Sequence, residues 1–110
     1  APDAAGRVRH AYDVFLSHNH ADKPWVRTLA GWLADQEYNG RRLRPWLDEH
    51  FLDPGTLSGE AELTTAMDRS RLLGLVLSPR SVASAWVDFE VRYFLGRRGA
   101  DAEVLLFELE

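Results

Sequence analysis

The stretch that most restricts this chain is LLGLVLS, Leu72 to Ser78. It is apolar almost without interruption, so neither side of an extended strand built from it suits water. That pattern belongs to a strand buried on both faces of a parallel sheet. Parallel neighbours are joined only through a crossover, most often a helix, so the flanking segments must alternate between the two kinds of element.

They read that way. AYDVFLS, from Ala11, is a short apolar run rich in strand formers that ends in the polar SHNHAD. From Ala21 to about Tyr38, Trp25, Val26, Leu29, Trp32 and Leu33 recur at helical spacing. Pro24 is tolerated in a first turn, and Asn39-Gly40 supplies a left-handed stop. RLRPWLD, Arg42 to Asp48, reads as a second strand, which Pro45 demotes to a sheet edge because proline has no ladder N–H. After the loop EHFLDPGTLSG, Ser58 is a candidate cap for a helix with Glu60 and Glu62 in its first turn. The buried side of that helix would be Leu63, Ala66 and Met67, and its end falls near Ser70. Beyond the central strand, SPRSVAS leads into a third helix that stops at Gly96 or Gly99, and AEVLLFELE forms a fourth strand.

Four strands alternating with three helices predict an α/β fold, a flavodoxin-like parallel sheet of order 2-1-3-4 with helices on both faces. Ligands of such sheets bind beyond the carboxyl ends of the strands, where the strand order reverses. Those ends carry Ser17-His18-Asn19-His20, Asp48 and Ser78-Pro79.

The third helix contains an oddity. In SAWVDFEVRYF, Ser84 to Phe94, a pitch of about 100° per residue puts Trp86, Ala83, Tyr93 and Phe94 on one arc with Glu90 near its middle. Asp88 and Arg92 form an i,i+4 pair on the opposite, watery side. A carboxylate on an apolar arc calls for a specific role.

With 110 residues the chain has room for one core. Residues 1–10, APDAAGRVRH, lack the apolar stretch of a signal peptide and read as a linker or leader, leaving 11–110 as the domain. A content of 45% hydrophobic and 27% charged residues is that of a soluble globular protein. No apolar run approaches the roughly 20 residues that cross a bilayer, so no membrane contact is expected. A formal charge of -4 argues against a nucleic-acid surface. The absence of cysteine excludes disulfides and thiolate metal sites and is compatible with a reducing, cytoplasmic compartment.

YDVFLSH on the first strand, WLDEHFLDPGTLSGE across the second and its loop, VLSPRSVASAW after the third, and Trp86 followed four residues later by Glu90 together resemble a TIR (Toll/interleukin-1 receptor) domain. The resemblance covers roughly Tyr12 to Leu109. The family usually adds a fifth strand and a last helix, which this sequence lacks. Many TIR domains, bacterial ones included, cleave NAD at its nicotinamide-ribosyl bond with the glutamate that Glu90 matches; others are scaffolds without that acid. The resemblance therefore implies an NAD nucleosidase with Glu90 as catalytic acid residue and NAD as substrate, with no cofactor and no metal. It implies Ser17, His18 and Asn19 lining the nucleotide cleft. It also implies Asp48, Asp53 and Leu57 folding over nicotinamide and ribose, Ser78 at the rim, and Trp86 beside the ribose. Members usually self-associate with other TIR domains and are activated through an attached sensor domain, in antiphage defence or virulence.

Each residue also has a plainer reading. Trp86 suits the core, Asp48 a turn cap, Asp53-Pro54-Gly55 a turn, and the His18-x-His20 spacing a loop rather than a metal. Two other functions compete with the nucleosidase: a non-catalytic TIR–TIR interaction module, and a nucleoside deoxyribosyltransferase-like enzyme, which also sets a glutamate beside a ribose. A phosphoacceptor receiver is more distant, because its first strand would end in acids.

Overall fold

The computed structural model describes residues 10–48 and 57–109, the side chains of 57–60 excepted. The elements run β1 (Tyr12–Ser17), α1 (Lys23–Ala34), β2 (Glu37–Tyr38), β3 (Arg41–Arg42), β4 (Pro45–Trp46), α2 (Leu57–Asp68), β5 (Ser70–Leu77), α3 (Pro79–Val82), α4 (Ala85–Arg98) and β6 (Val104–Glu108). Four of the strands form one parallel sheet in the order β4-β1-β5-β6. That is the flavodoxin-like order, with β5, the apolar run, inside it and the Pro45 strand at an edge.

Each face of the sheet carries its own apolar cluster. Val14, Leu16, Leu72 and Val76 meet Val26 and Leu33 of α1 on one face; Phe15 and Leu73 meet Leu63, Ala66 and Met67 of α2 and Phe94 of α4 on the other. Alternate residues of one strand serve opposite faces, so the central stretches of β1 and β5, Val14–Leu16 and Leu72–Leu77, are apolar or glycine on both. Gly74 lies between Leu16 and Leu105 in register. A Cβ there would meet Val14 Cγ2 at 2.8 Å and Phe107 Cε2 at 3.1 Å, so the glycine makes room for the Phe107 ring.

Several expectations change. The first helix ends at Ala34 rather than Tyr38, and Asn39 (φ 54) and Gly40 (φ 81) turn a short β2–β3 hairpin instead of stopping a helix. Both left-handed residues suit that turn, which follows the twist of paired strands. Within α1 only Val26 and Leu33 are fully buried, while Trp32 is 59% exposed. The second strand shrinks to Pro45–Trp46. Its place is held by Asp13 of β1, which accepts Arg41 Nη1 and Nη2 at 2.9 and 2.6 Å and the Arg44 N–H at 2.7 Å, and by Trp46 stacked on Phe15 at 4.9 Å. Finally, α2 starts at Leu57, so Ser58 lies inside its first turn.

The third predicted helix is two. Ser78 opens α3 with a reciprocal capping box to Ser81, and Ser84 caps α4 by accepting the Val87 N–H. Because the chain breaks between them, Ala83 is exposed, and the buried stripe of α4 is Val87, Glu90 and Phe94. Trp86 and Tyr93 flank it half-buried, and Asp88 and Arg92 form their exposed pair at 2.9 Å. Gly96 lies within α4; Gly99, with φ 55, ends it. No described helix is long and apolar enough to cross a membrane.

Candidate active site

At the carboxyl end of β1 the strand runs out into a tight loop, and α4 passes over it. The two elements bring Ser17 and Glu90 together from 73 residues apart: Ser17 Oγ donates to Glu90 Oε1 at 2.6 Å. Ser17 is fully buried and Glu90 is 2% exposed. Trp86, one turn earlier on α4, packs its ring with the Phe15–Phe94 cluster and is polar enough to favour the charged form of the same carboxyl group slightly. Trp86 thus belongs to the core and lies one turn from Glu90.

Burial pushes the Glu90 carboxyl up to about 8. Asp48, 6% exposed just beyond β4, adds its negative charge in the same direction. The Ser17 hydrogen bond, the Lys23 ammonium and Trp86 oppose these effects without cancelling them. Glu90 is therefore mainly a neutral acid near pH 7, and any cation placed against it favours release of its proton.

His18, 5% exposed, is held at both nitrogens. Nδ1 lies 3.0 Å from the Leu16 carbonyl, and Nε2 lies 3.0 Å from Lys23 Nζ. An ammonium can only donate, so Nε2 accepts and Nδ1–H donates to the carbonyl, which fixes a neutral tautomer. Lys23 also donates to the Asp48 carbonyl oxygen. Lys23 was not among the residues expected here. Its one sequence signal is a cation at the first position of a helix, where the dipole opposes it.

A second network closes the same rim. Asp22, at the head of α1, accepts Ser78 Oγ at 2.6 Å and Arg80 Nε at 2.5 Å. Ser78 is thereby committed to a cap and to Asp22. Asn19 is similarly engaged: its Oδ1 accepts the Ala21 N–H and caps the 3₁₀ turn His20–Asp22. The fold thus gathers Ser17, His18, Asp48, Trp86 and Glu90, and sets Asn19 and Ser78 on the adjoining rim, where both also cap helical turns. Asp53 and the Leu57 side chain lie outside the described residues. Among the described residues no three His, Asp or Glu side chains cluster as metal ligands, and no buried side-chain polar atom lacks a partner.

A parallel 2-1-3-4 sheet with the buried Glu90 carboxyl group at its strand-order reversal defines a flavodoxin-like α/β domain. The TIR domain family model matches residues 14–109, and the chain belongs to that family. It is 30% identical over 94 residues to the NAD(+) hydrolase ApTIR of Actinoplanes sp., a match covering 82% of this chain and 13% of that protein's length. Among solved structures it is similar to the TIR domains of the activated Roq1 resistosome, at 26% identity and a TM-score of 0.64 over 89% of this chain and 56% of that one. It also resembles a TIR-STING receptor from C. gigas, at 24% identity and a TM-score of 0.65 over 91% of this chain and 32% of that one. The TIR domain of the Toll-related receptor TRR-2 from Hydra magnipapillata is similar at 19% identity and a TM-score of 0.63, over 87% and 69% of the two chains. The last two likenesses concern the fold.

Proposed function

We propose that this domain cleaves NAD at the nicotinamide-ribosyl bond, with Glu90 as the catalytic residue. The observation that carries the reading is the Glu90 carboxyl group, buried at the head of the sheet and held there by the Ser17 hydroxyl. The NAD(+) hydrolase named above, 30% identical to this chain, supports it.

One carboxylate suffices for this bond. Glycosidases commonly use two, because one must protonate a poor leaving group. Nicotinamide in NAD is already a pyridinium cation and departs neutral, taking the bonding pair from the ribose carbon. What remains is to stabilise the positive charge that grows on the ribose and to steer the attacking group. The positive pyridinium ribose, entering beside Glu90, favours loss of the Glu90 proton, so the acid ionises when its charge is needed. The Ser17 hydroxyl then holds the carboxylate in place. Water attacking the ribosyl carbon gives ADP-ribose; attack by an adenine nitrogen or a ribose hydroxyl of the same molecule gives a cyclic product.

Self-association with other TIR domains belongs to the same reading, since the Roq1 TIR domains come from an assembly. So do an attached sensor domain and a cytoplasmic role in bacterial defence or virulence. A chromatographic panel of NAD, nucleosides and deoxynucleosides tests the substrate class. Release of nicotinamide from NAD, with the nucleosides untouched, is the expected result; base exchange between deoxynucleosides, or NAD left intact at high protein concentration, contradicts it.

A further inference from the structure

Lys23 occupies a position that α1 itself does not favour. It is the first residue of the helix, where the partial positive charge of the unpaired N–H groups opposes an ammonium. Its side chain turns inward instead of out to water. Nζ lies 3.0 Å from Nε2 of the buried His18 on the β1 loop and donates to the carbonyl oxygen of Asp48 beyond β4. Those two loops leave the carboxyl ends of the neighbouring strands β1 and β4, and Lys23 joins them.

His18 cannot supply positive charge while its Nε2 accepts from an ammonium. The described groups that influence the Glu90 carboxyl are Ser17 from β1, which touches it, and Asp48 beyond β4, Lys23 on α1 and Trp86 on α4. Two are neutral donors and one is an acid, which leaves Lys23 as the cation in this set.

We propose that Lys23 is a positioning residue of this site: its ammonium, held between the His18 imidazole and the Asp48 carbonyl, straps the two loops together and supplies the positive charge that influences Glu90. The proposal rests on the reading of Glu90 as the NAD-cleaving residue but makes a claim that can be measured without turnover. Removing the charge takes away an influence that favours the ionised carboxylate, so Glu90 should hold its proton to higher pH.

The test is a carboxyl ¹³C titration of glutamate-labelled protein, with the Glu90 signal assigned from Glu90→Gln. It is run on the wild type, Lys23→Met, Lys23→Gln and Lys23→Arg, each first shown to be folded by near-ultraviolet circular dichroism. The two neutral variants are expected to move the Glu90 midpoint up by about one unit, while Lys23→Arg stays near the wild type. The acidic limb of kcat/KM for NAD should move by the same amount, a loss of roughly tenfold on that limb. Lys23→Gln keeps a donor without the charge and so separates strap from charge. A folded neutral variant whose Glu90 titrates like the wild type overturns the proposal, as does a Lys23→Arg midpoint equal to that of Lys23→Met. If the midpoint moves but no variant or wild-type protein releases nicotinamide, the NAD reading falls and the role of Lys23 stands. If nicotinamide is released and the midpoint does not move, the role of Lys23 falls alone.

Discussion

Glu90 is a charge that folding works against. Its carboxyl titrates at about 8 in the folded chain against an ordinary value of 4.5, so between those limits the folded state binds more protons than the unfolded one. Stability is untouched by Glu90 below the lower value, falls as pH rises through the window, and carries the full penalty above the upper one. At about 1.4 kcal/mol per unit, the cost near neutral pH is on the order of 3 kcal/mol. Glu90→Gln removes it. In urea unfolding the variant is expected to gain on the wild type as the pH is raised from about 5 to about 8, by several kcal/mol at most. A stability difference that is flat across that range would contradict the buried, protonated state. The position was legible in the sequence because an acid interrupted an apolar stripe. Lys23 was not, because its role depends on the Asp48 carbonyl, 25 residues away.

Among the elements, β5 was the most legible, since an uninterrupted apolar run admits few places in a fold. The edge position of β4 followed from the missing N–H of Pro45. The hairpin was not recognised because Asn39-Gly40 satisfies a helix stop and a tight strand turn equally well. The buried face of α4 was displaced because one arc was drawn through the break that Ser84 introduces between α3 and α4. Gly74 shows how closely β1, β5 and β6 are fitted: a methyl group there would lie 2.8 Å from Val14 Cγ2. Gly74→Ala is expected to cost about 1–3 kcal/mol, read as a lower urea midpoint, with secondary structure retained. A variant as stable as the wild type would show that the sheet face yields more easily than its packing implies.

The whole molecule buries the Glu90 carboxyl group. Glu90 is 2% exposed in the single chain. On the proposed reading, a carboxyl group covered in the single chain suits activation by crowding copies together. Specific activity is therefore expected to rise with protein concentration and to fall on dilution, followed as nicotinamide released per mole of protein. A specific activity independent of concentration would make the isolated chain a self-sufficient enzyme and contradict that view. The sheet order and the rim on which the site lies were readable at this scale because parallel strands leave few topologies. The closure over Glu90 was not, since it arises from how the β1 loop, α1 and α4 settle against one another.

The central claim is that the Glu90 carboxylate breaks the nicotinamide-ribosyl bond. Nicotinamide release from NAD, measured side by side for the wild type and a folded Glu90→Ala variant at high protein concentration, tests it most directly. Release by the wild type, with a loss of at least about a hundredfold in the variant, is predicted. Equal release by the two proteins would contradict it.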